Sequence, residues 1–176
     1  QPYDPRLLEL CRERGIYLIE DAAQAHGASQ VMLDGSELVA GSMGDLGCFS
    51  FFPSKNMAVG GEGGMLTTTV DELTDAVSLV VNHGRSPSLE SMQLGSNLRM
   101  SEVSAAIGTV QLSHLDSWVM RRREIAEIYH QAFADHPLLE TPKVRPGAKH
   151  AWHQYCLATE NPDELVSHLD LSLIHI

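Results

Sequence analysis

The run Cys48-Phe49-Ser50-Phe51-Phe52-Pro53-Ser54-Lys55-Asn56 carries an apolar stretch onto a lysine, and the cluster Gly60-Gly61-Glu62-Gly63-Gly64 follows it. Lys55 is the only lysine in the first 142 residues, and arginine supplies most of the remaining positive charge. Lysine therefore has almost no general solubilising role in this chain. A primary amine at the end of a buried strand, followed by backbone that a ligand can approach closely, is the arrangement of a lysine that forms a Schiff base. The glycine cluster holds neither a Walker lysine nor a G-x-G-x-x-G after a strand, so it reads poorly as a nucleotide loop.

Outward from this run, helix and strand signals alternate in the α/β manner. Leu7 to Arg14 has a helical pattern that closes at Gly15, and Ile16-Tyr17-Leu18-Ile19 is a short apolar run of the kind expected for a parallel strand covered on both faces, ended by Glu20-Asp21. Gly47 to Phe52 and Met65 to Thr69 are two more such runs. Asp71 is placed to cap a helix from about Glu72 to Asn82 that stops at His83-Gly84, and Arg85 to Gly95 reads as an exposed loop. Ser101 can cap a helix on which Val103, Ala106, Ile107 and Val110 share a face. A further helix follows from about Asp116 to Phe133, with Ile125, Ile128 and Tyr129 expected inward.

In doubly wound sheets ligands bind beyond the carboxyl ends of strands, and Asp21 and Lys55 both fall just past such ends. One cleft could hold both, with a plain ion pair as the alternative. Composition narrows the function classes. A net charge of −11 argues against binding nucleic acid or acidic membranes through a general basic field. Arg121-Arg122-Arg123 is the one basic cluster, and on a helix its members fan out, which favours a solvated or salt-bridged face over a phosphate patch. Cys11, Cys48 and Cys156 are odd in number and lack C-x-x-C spacing, so they indicate neither a disulfide framework nor a zinc site, and a reducing cytoplasm is the default. Nine histidines without H-x-H or H-x-x-x-H spacing do not suggest metal. No apolar stretch has membrane-spanning length.

Four motifs together carry a resemblance. Glu20-Asp21-Ala22-Ala23-Gln24-Ala25-His26-Gly27-Ala28 comes first, and Gly41-Ser42-Met43-Gly44-Asp45 second. The lysine run with its glycine cluster is third. Gly95-Ser96-Asn97-Leu98-Arg99-Met100-Ser101-Glu102, leading into Ala105-Ala106-Ile107-Gly108, is fourth. In this order they resemble the signatures of the DegT/DnrJ-type sugar aminotransferases, from about Tyr3 to Leu169. The resemblance implies a fragment of a fold-type I, pyridoxal-phosphate-dependent transferase with a mostly parallel sheet, acting as a cytoplasmic homodimer with shared active sites.

Carried over by that resemblance, Lys55 would form the Schiff base with the cofactor and Asp21 would pair with its pyridinium nitrogen. Gln24 resembles the glutamine that packs against the ring, a loop-capping amide being the alternative. Ser50 corresponds to a phosphate-binding serine, or is simply a strand serine. Asn97 resembles the asparagine that reaches the cofactor phosphate of the neighbouring subunit, although Ser96 and Leu98 stand where relatives often carry aromatic residues. Lys55 also separates this chain from the dehydratase branch, which has histidine there. The implied reaction moves an amino group from glutamate or glutamine to a nucleotide-linked keto-deoxysugar. A cyclitol ketone as acceptor, or a non-catalytic regulatory protein of the same fold, is the alternative. His26 and His83 read as structural, and the aromatics of Trp152-His153-Gln154-Tyr155 fit packing as well as substrate contact.

The character of the chain changes at Pro137. Residues 1–136 read as part of the cofactor-binding large domain without its N-terminal portion, and 137–170 as the start of a small α+β domain, with a strand from Trp152 to Ala158 and a helix begun by Asn161-Pro162-Asp163. The chain opens at Gln1 in what reads as the end of a loop, so an upstream part is expected. Residues 171–176 match the translated end of a transposon adapter used in DNA library preparation and are read as an artefact, a natural apolar helix end being the alternative. A fragment of this extent is expected to be inactive alone.

Overall fold

A computed structural model describes residues 2–171. In chain order the elements are α1 (Pro5–Glu13), β1 (Ile19–Asp21), β2 (Ser29–Val31), β3 (Glu37–Val39), β4 (Leu46–Ser50), β5 (Gly64–Thr67), α2 (Asp71–Val81), α3 (Glu102–Leu112), α4 (Leu115–Phe133), β6 (Ala148–Lys149) and α5 (Pro162–Leu171). Only Leu171 of the suspected adapter hexapeptide is described, as the last helical residue; the artefact reading otherwise lies outside the described residues.

The strands form two small sheets, ordered β1-β4-β5 and β3-β2-β6. β1 and β4 are parallel, with Ile19 opposite Leu46 and Asp21 opposite Cys48. β5 is antiparallel to β4, a departure from the expected parallel run, because the chain leaving Ser50 returns through the lysine loop and the glycine turn without a crossover helix. Gly47 lies opposite both Glu20 and Thr67, where a Cβ would stand 2.4 Å from the Gly41 carbonyl oxygen. Only glycine fits there.

One buried and one half-buried carboxylate set the start of the central pair. Glu20, 6% exposed, accepts from the backbone N–H groups of Gly41, Met43 and Gly44 at 2.9, 2.7 and 2.8 Å. Asp45 Oδ2 accepts from the Leu18 N–H at 2.6 Å, while the Asp45 N–H donates to the Leu18 carbonyl at 2.8 Å. These contacts move the ladder later than the sequence suggested. The apolar run Ile16–Ile19 is mostly lead-in, and Glu20 and Asp21 belong to the strand instead of ending it. Nor is that run covered: Ile16, Tyr17 and Ile19 are exposed among the described residues, as are Met65 and Leu66 on β5.

The β2–β3 hairpin is absent from the sequence reading, although Asp34-Gly35 between apolar runs is a strong turn signal. Asp34 accepts from the Ser36 N–H and hydroxyl, and Gly35 takes φ +84°. Asp71 is the first residue of α2 and not its cap; Val70 holds that position without a side-chain bond. Ser101 does cap α3, accepting from Ser104 N–H at 3.1 Å. On α4 the buried residues are Leu115, Val119 and Ala126; Ile128 and Tyr129 are exposed, so the inward face is rotated from the expected one. The strand expected over Trp152–Ala158 is replaced by β6, which pairs with β2, and by irregular chain in which Trp152 takes φ +48° and Ala158 forms an isolated bridge with Glu140.

Two apolar clusters meet at Phe49. One joins Ala22, Ala28, Ala40, Met43 and Ala151; the other joins Phe51, Met57, Val59, Leu115 and Val119. Among the described residues no helix is long and apolar enough to cross a membrane.

Candidate active site

Parallel pairing puts the carboxyl ends of β1 and β4 side by side, and the chain turns away from both at the same edge. Asp21 is the last residue of β1, exposed, with Oδ1 accepting from the Ala23 N–H at 3.1 Å; the other oxygen has no partner among the described residues. The Ala22 N–H donates to the Cys48 carbonyl at 2.9 Å, which locks the Asp21 turn to β4 two residues before Ser50. Ser50 ends β4, half-buried, and its hydroxyl accepts from the Phe52 N–H at 3.3 Å. The Lys55 N–H then closes a turn onto the Phe52 carbonyl at 2.9 Å. The Lys55 side chain is half-buried, and its amine has neither a hydrogen bond nor an ion pair among the described residues. It is not the partner of Asp21 in a simple ion pair.

Gln24 is exposed in the turn after Asp21. Asn97 lies elsewhere in the bonding network. It forms an isolated bridge with Asn82 and accepts from the Arg99 N–H at 3.4 Å, and it shares no hydrogen bond with the other four residues. The glycine cluster divides in two. A Cβ at Gly61 would meet nothing within 4 Å, whereas one at Gly63 would stand 2.5 Å from Val59 Cγ2. Close internal packing, more than ligand approach, therefore accounts for the second half of the cluster.

His26 packs on the run that leads into the lysine turn. It is 3% exposed, its ring lies 5.3 Å from Phe49 and 5.8 Å from Phe51, and neither ring nitrogen has a hydrogen-bond partner among the described residues. Burial is the main cause that lowers its pKa to about 4; the Ser50 backbone opposes this, and the positive charge of Lys55, then His153, reinforces it. His153 is likewise lowered, by burial first and then by Lys55 and Arg122. Burial thus disfavours a charge on either imidazole.

Residues 5–175 match the model of the DegT/DnrJ/EryC1/StrS aminotransferase family. The chain belongs to that family. A dTDP-3-amino-3,4,6-trideoxy-alpha-D-glucose transaminase of Streptomyces venezuelae is 38% identical, over 93% of this chain and 42% of its own length. The solved S. venezuelae DesV, in complex with a ketimine intermediate, aligns with a TM-score of 0.88 at 36% identity, covering 98% of this chain and 45% of that one. A DegT DnrJ EryC1 StrS aminotransferase from Brucella abortus aligns with a TM-score of 0.88 at 29% identity, over 98% of this chain and 44% of that one. The mixed α/β fold is that of part of a fold-type I aminotransferase, and the chain spans less than half the length of these relatives.

Within this DegT/DnrJ/EryC1/StrS chain, the sequence reading missed the groups that hold the lysine's surroundings. Arg121 pairs with Glu124 at 2.7 Å on the surface, as a solvated face would. Arg122 and Arg123 turn inward. Arg122 donates to the carbonyls of Trp152 and His153 at 3.0 and 3.3 Å, and Arg123 to those of His150 and Gly27, both at 3.0 Å. Their targets are backbone oxygens far away in sequence, which no helical pattern can announce.

Proposed function

We propose that the protein to which these residues belong is a pyridoxal-phosphate-dependent aminotransferase that moves an amino group from an amino acid, glutamate or glutamine, to a nucleotide-linked keto-deoxysugar. The observation that supports it best is local. An exposed aspartate and a serine end neighbouring parallel strands, and a half-buried lysine amine without a partner among the described residues follows in the next turn.

These residues suit the cofactor. Lys55 would hold it covalently, and Asp21, with an uncommitted carboxylate oxygen, would keep its ring nitrogen protonated. Ser50 would donate its hydroxyl to the phosphate, and Gln24 would lie against the ring. Asn97, exposed and apart from the other four, would serve the phosphate of a neighbouring subunit in a homodimer. Once bound, pyridoxal phosphate supplies the electron sink for negative charge at the donor Cα. The amine of Lys55 would take the proton from that Cα as general base. Burial lowers the pKa of His26 and His153, which disfavours further positive charge near the amine as it gains a proton.

The names of the relatives point to the acceptor class, since the S. venezuelae transaminase is named for a dTDP-linked amino sugar. We assign residues 1–136 to the cofactor-binding domain and 137–170 to the beginning of a second one, and infer that the 176 residues alone have no turnover, because they span under half of their relatives.

The test uses the complete open reading frame. The protein is incubated with pyridoxal phosphate, reduced with borohydride, digested and searched for the modified peptide, and then assayed with glutamate and glutamine against keto-sugar nucleotides and cyclitol ketones. A pyridoxyl adduct on Lys55 with turnover of a keto-sugar nucleotide is expected. A folded, complete protein with an unmodified Lys55 would overturn the mechanism, and turnover of cyclitol ketones alone would overturn the acceptor class.

A further inference from the structure

Four consecutive backbone carbonyls, His150 to His153, each accept a hydrogen bond from a side chain. Arg123 Nε bonds His150 at 3.0 Å, Asn56 Nδ2 bonds Ala151 at 2.8 Å, and Arg122 Nη1 bonds Trp152 and His153 at 3.0 and 3.3 Å. The strip lies beyond β6 and has no ladder of its own, so these bonds stand in for a neighbouring strand. Trp152 at φ +48° marks it as held in a conformation that a free chain would leave.

Three of the four bonds come from α4. The fourth comes from the residue next to Lys55. Asn56 is 5% exposed and Ala151 1%, so their bond is shielded from water. A buried asparagine is a costly choice for a packing position, and here its Oδ1 finds no partner among the described residues. A leucine would fill that volume without the cost. What the amide adds is direction: it ties the lysine turn, whose residues Phe52 to Ser54 are exposed, to the His150–His153 strip.

We propose that Asn56 is a positioning residue for Lys55, fixing the lysine turn against the His150–His153 strip so that the setting of the amine follows the position of that strip. This rests on the reading of Lys55 as the cofactor-bearing lysine. It adds a route by which displacement of the chain beyond residue 153, for instance when a substrate is gripped there, reaches the reacting amine.

The test is made on the complete protein loaded with pyridoxal phosphate, with Asn56→Leu, Asn56→Ala and Arg122→Lys. The visible absorbance of the cofactor attached to Lys55 is titrated against pH alongside kcat and KM. Each variant is expected to retain the borohydride-trapped adduct on Lys55 and to shift the absorbance midpoint by about half a pH unit or more. A fall of kcat by roughly 10- to 100-fold, with KM changed by less than about threefold, is expected with it. If the variants keep the parental midpoint and kcat while only thermal stability changes, Asn56 is structural and the proposal fails. Should neither Asn56 variant fold, Arg122→Lys decides, since it loosens the same strip from the other side and must shift the midpoint in the folded protein. A parent protein with no cofactor band on Lys55 overturns the underlying reading instead, a distinct result.

Discussion

Asp21 stands opposite Cys48 in the parallel ladder of β1 and β4, and the amide that follows it, Ala22 N–H, donates to the Cys48 carbonyl at 2.9 Å. This register brings an aspartate and the Ser50–Lys55 turn, thirty-odd residues apart in sequence, to one edge of a sheet. It turns two separate motifs into one candidate site.

Replacing Lys55 by alanine removes the amine proposed to hold the cofactor covalently at that edge. In the complete protein, kcat/KM is expected to fall by about a thousandfold or more and the borohydride adduct to vanish. Asp21→Asn keeps the shape and removes the charge, so a loss on the order of a hundredfold is expected, with the adduct retained. Steady-state kinetics paired with peptide mass spectrometry checks both.

Glu20 serves the fold beside the site. Glu20→Ala would leave the N–H groups of Gly41, Met43 and Gly44 without their acceptor, and Met43 is 3% exposed. A loss of roughly 3–5 kcal/mol of stability is expected. Urea denaturation of the complete protein should show the midpoint falling accordingly, and Glu20→Gln, which keeps one acceptor oxygen, should fall less.

Gly47→Ala would drive a methyl group to within 2.4 Å of the Gly41 carbonyl oxygen and 2.5 Å of Thr67 Oγ1. The strand has partners on both sides and little room to yield. A loss of about 1–3 kcal/mol or more is expected, seen as a lower thermal midpoint or lost soluble yield.

Stability should also depend on acidity through His26. Its pKa lies near 4 in the folded chain and near 6.5 when unfolded, so between those values the unfolded state binds more protons. The contribution is fully present above about pH 6.5 and is lost as pH falls towards 4. His150, also lowered to about 4, mainly by burial, adds a second share of the same sign. Denaturant midpoints measured from pH 7 down to 4.5 should fall, and His26→Phe should make the decline shallower without abolishing it.

Much of the chain's order is local and could be read directly. The Ser101 cap, the close of α1 near Gly15 and the helix begun at Pro162 depend on neighbours within a turn or two. Where the reading erred, the deciding partner lay far off. β1 begins late because Asp45 engages the Leu18 backbone, and the inward face of α4 is set by Val119 packing on Gly27 and by two arginines reaching Gly27 and the 150–153 strip. The β2–β3 hairpin is a different kind of miss, since Asp34-Gly35 was a legible signal that went unused.

By itself the sequence determined the family, the order of helices and strands over most of the chain, and the isolation of Lys55 from other lysines, because motif spacing and turn chemistry are written in adjacent residues. Only the tertiary structure decided that Asp21 and Ser50 share an edge, that His26 is buried against Phe49 and Phe51, and that Asn56 bonds to Ala151, 95 residues away. Ladder register, burial and bonds to backbone carbonyls arise when distant segments meet, and a carbonyl is the same in every residue.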